Sequence, residues 1–468
     1  MAQTIVVAGV HSGVGKTTVA TGLMAAFGRR GLRVQGFKVG PDYIDPSYHT
    51  AVSGRPSRNL DTWMLPHGAV VELFQRASAG ADLCVIEGVM GLFDGRTGGR
   101  GAGSTAEVAA LLGVPVLLVV DGWKIARSAA AIVSGYRSFD PRVDLAGVVL
   151  NRIAGEGHYR AVAPPIEDEA GVPVLGSLGR DERLTLPERY LGLIPTTEGP
   201  LAHEYFDALA ATVARDLDLE RILRIAREPR PGCPPDQLLF PAARVQPCVR
   251  LALARDAAFS FYYEDALDLL RAHGSEIVTF SPLADAALPD GADAVYLGGG
   301  FPELFAAQLA ANRPMLAALR AAAARNTPIY TECGGYMYAG RSLTDAAGVR
   351  HEMLGLLPLD SSMSGSRMTL GYRELRVLRD GPAGPAGMRL RGHEFHWSVS
   401  EPPLAHDAVY AAALEGGGER PVGGVRGSVW GSYVHLHLGS ERSLASDFVR
   451  WCAGASQRRG GEEGATAQ

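Results

Sequence analysis

The chain lacks any cysteine pair with the spacing of a zinc site or a redox motif. Its five cysteines, Cys84, Cys233, Cys248, Cys333 and Cys452, stand far apart. Neither a disulfide framework nor a structural zinc is expected, and a reduced, cytoplasmic setting is. A basic block is missing too, and the net charge is −5, so there is no electrostatic case for nucleic acid. No apolar run reaches the ~18 residues that span a bilayer. The first residues carry no basic leader before their apolar stretch, which argues against a signal peptide and against a membrane partner. Internal repeats are absent. What remains is 468 residues, 47% hydrophobic and 20% charged, an ordinary composition for a soluble α/β protein with two or three cores.

The first half alternates short apolar runs with helical stretches. Strands are expected at Ile5–Ala8, Val34–Lys38, Leu83–Glu87, Val114–Val120 and Ala146–Leu150, with later ones at Val172–Leu175 and Leu191–Ile194. These runs are apolar throughout rather than alternating, the mark of parallel strands covered on both faces. Residues 227–246 are dense in proline and read as a linker. A second α/β unit follows, with strands at Val249–Ala254, Glu276–Phe280, Ala294–Leu297 and Pro328–Thr331 and a helical stretch around Glu303–Arg325. The boundaries expected are therefore 1–226, a linker at 227–246, a second domain at 247–452 and a disordered tail at 453–468.

Two motifs carry chemistry. Gly9-Val-His-Ser-Gly13-Val-Gly15-Lys16-Thr17-Thr18 follows the first strand and opens a helix. Glycines there let backbone N–H groups cradle phosphate, a lysine reaches the terminal phosphates, and a threonine hydroxyl ligates Mg²⁺. Five residues rather than four separate Gly9 from Gly15, so the pattern is a variant of the phosphate loop. Magnesium takes further hard oxygens. Asp42, Asp45, Glu87 and Asp94 lie just after the second and third strands, on the same rim. Turn formation beside Pro and Gly accounts for Asp42 and Asp94 equally well, whereas Glu87 ends an apolar strand. Thr17, Asp45 and Glu87 are the candidate metal ligands, and Lys38 is placed to neutralise a phosphorylated carboxylate. Asn151 ends the fifth strand and is a candidate for the adenine edge, with capping as the rival.

The second motif is Pro328-Ile-Tyr-Thr-Glu-Cys333-Gly334-Gly335-Tyr336, a strand entering a sharp turn with a cysteine at its apex. A cysteine nucleophile needs a base and oxyanion donors. His435 is the best base, and Gly299, Gly334 and Gly335 offer backbone N–H groups. Arg391-Gly-His-Glu-Phe-His396-Trp397 either lines a pocket or is an ordinary strand. A phosphate site and a thiol site on one chain point to ATP energy coupled to cleavage of a second substrate.

Longer motifs narrow the reading: Gly36-Phe-Lys38-Val-Gly-Pro-Asp42-Tyr-Ile-Asp45-Pro46, Arg58-Asn-Leu-Asp61-Thr-Trp-Met64, Glu87-Gly-Val-Met-Gly-Leu-Phe-Asp94-Gly95, Tyr296-Leu-Gly-Gly-Gly-Phe-Pro-Glu303, Glu332-Cys333-Gly-Gly-Tyr-Met337, Arg391–His396 and Ser432-Tyr-Val-His435-Leu-His437. With these, from about residue 3 to about residue 450, the chain resembles the family of cobyrinic acid and hydrogenobyrinic acid a,c-diamide synthases. The resemblance implies a dethiobiotin-synthetase-like ATPase domain joined to a class I glutamine amidotransferase domain. It implies ATP and Mg²⁺ as cofactors, and a corrinoid and L-glutamine as substrates. Cys333 would release ammonia from glutamine, ATP would phosphorylate the a and c acetate carboxylates, and ammonia would displace phosphate. Asp42, Asp45, Glu87 and Asp94 look like the acidic residues of the synthetase site.

Two positions depart from related patterns. Most class I amidotransferases carry a glutamate two residues after the histidine, and here that place holds His437. A neutral imidazole cannot stabilise imidazolium as a carboxylate does, so slow or substrate-gated glutaminase activity is expected. His11 stands where partition-type ATPases carry a lysine, which argues against a dimer switch of that kind. The alternatives are a regulatory ATPase with a non-catalytic amidotransferase-like module, or an amido-ligase for another tetrapyrrole carboxylate. The metal content of the corrin and the oligomeric state, a homodimer included, stay open.

Overall fold

In the computed structural model, residues 2–465 are described, apart from 97, 100, 182–183, 185–187, 190–191, 194–195, 197–202, 234–238, 244, 366–367, 401–404 and 415. The expected strand at 191–194 falls partly outside them. The apolar runs of the first half become β1 (Gln3–Gly9), β2 (Val34–Val39), β4 (Leu83–Glu87), β5 (Val116–Asp121), β6 (Leu145–Ile153) and β7 (Val174–Gly179). A three-residue β3 (Arg58–Leu60), too short to show an apolar run, joins them at the edge. The sheet runs β3-β2-β4-β1-β5-β6-β7. Every pairing in it is parallel. All carboxyl ends therefore share one rim, where ligand sites form in such sheets. Ile5, Val7, Val85, Leu117, Val119 and Val149 pack in the core beneath it, with Leu23 and Phe27 of helix Lys16–Arg29.

The chain divides into two units, Met1–Asp236 and Gln237–Gln468. Part of the expected linker belongs to the first. Thr4 and Arg227 exchange backbone hydrogen bonds at 2.8 and 3.2 Å, and Arg230 and Gly232 donate to Leu112 and Leu111. Proline forbids a helix there, but the N–H groups between the prolines still find partners.

In the second unit, β8 (Val249–Ala254), β9 (Ser275–Phe280), β10 (Ala294–Leu297) and β11 (Ile329–Glu332) form a parallel sheet. Further along the chain come β12 (Thr369–Val377), β13 (Arg389–His396), β14 (Gly424–Arg426), β15 (Val429–Ser432) and β16 (His435–Leu436). The main sheet runs β9-β8-β10-β11-β15-β14, with β14 antiparallel. A separate antiparallel sheet holds β12, β13 and β16. The helical stretch expected at Glu303–Arg325 is broken into Pro302–Leu304, Ala306–Ala311 and Arg313–Ala324. Asn312 causes the last break: its side chain accepts from the Met315 N–H and restarts the helix. The tail expected to be disordered from residue 453 instead extends a helix, Leu444–Ala465. Propagating an existing helix costs less than nucleating one, and alanine, arginine and glutamate favour it, although Gly454, Gly460, Gly461 and Gly464 each weaken it.

Candidate active sites

The first unit builds its site around the phosphate loop. Gly15 caps helix Lys16–Arg29 with φ 100°, a left-handed conformation that suits glycine. A β-carbon there would also lie 2.2 Å from the Asn151 side-chain nitrogen. That nitrogen donates to the Val14 carbonyl at 2.7 Å, and the Asn151 oxygen accepts from the Arg152 N–H. Arg152 donates to the Gly13 carbonyl at 2.6 Å and pairs with Asp121 at 2.5 Å. The end of β6 thus braces the loop from outside. Asn151 holds the loop backbone as a donor to Val14 and is not a cap of the helix. Thr18 lies in the first turn of the helix, one residue beyond Thr17.

Lys16 curls over the loop and donates to the His11 carbonyl at 3.1 Å. Burial lowers its pKa to about 8, helped by the charge of Lys38 and opposed by Glu87, Asp45 and Asp94. Lys38 and Glu87 are direct neighbours across β2 and β4. The Lys38 ammonium lies 2.9 Å from Glu87 and 2.5 Å from Asp45. Burial alone would lower its pKa, but Asp45, Glu87 and Asp42 outweigh this and keep it charged. Glu87 also accepts from the Thr17 hydroxyl at 2.7 Å and contacts His49 Nε2 at 2.6 Å. Burial pushes its carboxyl upward, yet Lys38, His49 and Thr17 together hold it below the usual carboxylate range. Thr17, Lys38, Asp45 and Glu87 are therefore one buried network. Lys38 is engaged by carboxylates rather than projecting free.

Asp42 and Asp94 take the turn-forming role as well as the rim position. Asp42 accepts from the Ile44 and Asp45 N–H groups, and Asp94 from the Gly91 N–H. His49 was not expected from the sequence. It sits one turn after Asp45 in helix Asp45–Ser53, so its i+4 spacing was the available signal. His11 is half-exposed and lies 3.9 Å from Asp121. Among the described residues no three His, Cys, Asp or Glu side chains converge as a metal cage. The Thr17 hydroxyl beside the Glu87 carboxylate is nevertheless a hard-oxygen pair of the kind Mg²⁺ takes alongside phosphate and water.

The second unit holds its cysteine at a strained elbow. Cys333 follows β11 directly and adopts φ 48°, ψ −105°, a conformation that costs a non-glycine residue about 1–3 kcal/mol. Its N–H donates to the Ser432 carbonyl at 2.8 Å, which ties the elbow to the end of β15. His435 follows three residues later in β16 and pairs in register with His393 of β13. The two rings stack with centroids 4.9 Å apart. The Arg391–Trp397 stretch thus includes a strand flanking His435, which the sequence left undecided. Gly299 faces the imidazole so closely that a β-carbon would lie 2.5 Å from His435 Cε1. The Gly334 N–H points at the Cys333 sulfur. Gly335, expected to leave its N–H free, donates it to Gly298 O at 2.9 Å. A glycine turn seated on the elbow consumes that donor.

Burial pushes the Cys333 thiol well up, reinforced by Glu303 and opposed by the Gly334 N–H. Burial pushes His435 down to about 3, assisted by His396. The resting pair is thus a neutral thiol and a neutral imidazole. His437, also pushed down to about 3 by burial, accepts from the Gly439 N–H at 3.1 Å. The carboxylate near His435 comes from elsewhere: Glu332 Oε2 lies 3.8 Å from its Nδ1. Sequence reasoning missed it. An acidic residue ending an apolar strand, as at Glu87, was the signal.

Residues 5–194 match the CobQ/CobB/MinD/ParA nucleotide binding domain, and residues 250–443 match the CobB/CobQ-like glutamine amidotransferase domain. The chain is 45% identical to the cobyrinate a,c-diamide synthase of Dehalococcoides mccartyi strain CBDB1, over 95% of this chain and 97% of that protein. It is 42% identical to the enzyme of the same description from Priestia megaterium, over 97% and 98%. For that of Synechocystis the identity is 43%, over 96% and 93%. With both sites built and both halves matched across nearly the whole length, the chain belongs to the cobyrinate a,c-diamide synthase family.

Proposed function

We propose that this protein converts the a and c acetate carboxylates of cobyrinic acid, or of hydrogenobyrinic acid, into amides, using glutamine as nitrogen donor and ATP as activator. The observation that carries the reading is the pairing of chemistries on one chain. A buried Thr17–Lys38–Asp45–Glu87 network underlies a phosphate loop. A strained cysteine is tied through its N–H to Ser432, three residues before a buried histidine.

A carboxylate resists attack by ammonia until its oxygen becomes a leaving group. Transfer of the ATP γ-phosphoryl to that oxygen forms an acyl-phosphate. The backbone amides of the loop and Lys16 would hold the transferring phosphoryl, since such transfer relies on positioning and charge. Asp42, Asp45 and Asp94 border the place where the acceptor carboxylate would dock. Thr17 and Glu87, with Asp45 beside them, would hold Mg²⁺. Bound there, the ion supplies positive charge against the phosphate oxygens. Ammonia from the thiol site attacks the acyl carbon, the C–N bond forms, and phosphate leaves. Neutral Cys333 and His435 would keep glutamine hydrolysis slow until substrate alters the site. A cytoplasmic location suits five free cysteines.

The test is mass spectrometry of each corrinoid incubated with the protein, Mg-ATP and glutamine. Two successive acid-to-amide conversions of one substrate are expected. Cys333→Ala should abolish the glutamine-dependent reaction and spare the one supplied with ammonia. ATP hydrolysis with neither corrinoid altered would refute the corrin assignment.

A further inference from the structure

We propose that Glu332, the residue immediately before the nucleophile, is the positioning carboxylate of the glutaminase site, orienting His435 and stabilising its protonated form during turnover. This rests on the reading of Cys333 as nucleophile and His435 as base.

The geometry comes from strand register. Tyr296 of β10 pairs with Tyr330 of β11, and Glu332 lies two residues beyond Tyr330, on the same face. Both phenols reach its carboxylate: Tyr330 donates to Oε1 and Tyr296 to Oε2, each at 2.8 Å. Oε1 also accepts from the Leu436 N–H at 3.2 Å. Glu332 therefore grips the backbone just after His435 with one oxygen and faces His435 Nδ1 at 3.8 Å with the other. Both side chains are almost wholly buried, at 2% and 1% exposure. Closing the gap to a hydrogen bond takes a movement of about 1 Å, and catalytic hydrogen bonds often shorten in that way once substrate binds.

His437 cannot take this part. It carries no negative charge, its Nδ1 is turned to the Gly439 N–H, and its ring packs on Tyr263 with centroids 4.8 Å apart. Glu394, also buried, is paired with Arg373 and Arg420. Glu332 is held by phenols and an amide, neutral donors that favour its charged form without cancelling the charge that an imidazolium would meet.

In the step so assisted, the Cys333 sulfur bonds to the side-chain carbonyl carbon of glutamine and its proton passes to His435 Nε2. The imidazolium then presents Nδ1–H to Glu332. The Nε2 proton goes to the departing nitrogen as the C–N bond breaks and ammonia leaves. Water then cleaves the thioester, giving glutamate and the free thiol.

The groups facing Glu332 are Tyr262, Tyr296, Tyr330, Tyr410, Cys333 and His435. Burial raises all four phenols above their ordinary range and lowers His435 to about 3. Glu332 is raised by burial to about 7, against the pull of its three donors, so it alone among them titrates near neutrality.

The experiment compares Glu332→Gln, Tyr296→Phe and Cys333→Ala in the full-length enzyme. Amidation with glutamine and with ammonia is measured, and the glutaminase kcat and kcat/KM are followed from pH 5 to 9. Glu332→Gln should lower the glutamine-dependent kcat by about 100-fold or more, with KM for glutamine little changed and ammonia-dependent amidation kept. The native kcat/KM for glutamine, which reports the free enzyme, should rise with pH through a midpoint near 7, and this rise should vanish in Glu332→Gln. Tyr296→Phe removes a donor to the charged form and should move the midpoint upward. Should Glu332→Gln fail to fold, Tyr296→Phe decides, since it keeps the carboxylate. An unshifted midpoint in Tyr296→Phe, or a Glu332→Gln enzyme with native kcat and the same acid limb, overturns the proposal. Glutamine use surviving in Cys333→Ala would overturn the nucleophile reading beneath it.

Discussion

Lys16 and Glu87 show how burial assigns charge in the phosphate site. Lys16 is lowered toward neutrality by burial, so its cation is strained and available to phosphate. Its charge is present below about pH 8 and fades above. We expect kcat/KM for ATP, which reports the free enzyme, to fall as pH climbs past that value, while the glutaminase rate is unaffected on that side. Replacing Lys16 with methionine should remove that alkaline limb. Glu87 is the opposite case, a carboxylate surrounded by donors. Glu87→Gln leaves Lys38 and His49 short of a partner, and a broken buried pair costs about 3–5 kcal/mol. Urea unfolding of the Met1–Asp236 region should show a midpoint lowered accordingly.

Among the elements, most of the parallel strands were legible because they are continuous apolar runs between turn residues, as in Val116–Val120. The antiparallel sheet was not. Thr369–Val377 mixes arginine, glutamate and tyrosine with few apolar positions, and its partner β13 pairs with a strand forty residues further on. Such register is a tertiary fact with no local sign. The same holds within the sites. Cys333, Lys16 and Glu87 announce themselves by place in a strand–turn–helix pattern. Glu332 was visible as a letter, but Tyr296 and His435 are brought to it by two other strands. The brace at the end of β6 belongs to this class as well. Asn151→Ala removes the hydrogen bond to Val14 and loosens the loop. KM for ATP should rise several-fold, about 1 kcal/mol for one neutral hydrogen bond, with glutaminase activity kept.

At the scale of the whole molecule, the phosphate loop and the cysteine elbow reside in separate units with separate cores. What links them under the proposed reaction is ammonia, product at one site and nucleophile at the other. If Cys333 is the nucleophile, its protonation has a further consequence, for chemical durability. Alkylators and peroxide attack thiolates, and a thiol kept protonated by burial reacts slowly. Burial raises Cys84 to about 12 and pushes Cys333 and Cys452 up as well, whereas Cys248 lies at the surface. Brief iodoacetamide treatment should therefore carbamidomethylate Cys248 first and leave glutamine-dependent turnover intact, as peptide mapping and assay would show. A catalyst built on a sulfur nucleophile would then spend its idle time as an oxidation-resistant protein, exposing that sulfur to attack only while glutamine occupies the site.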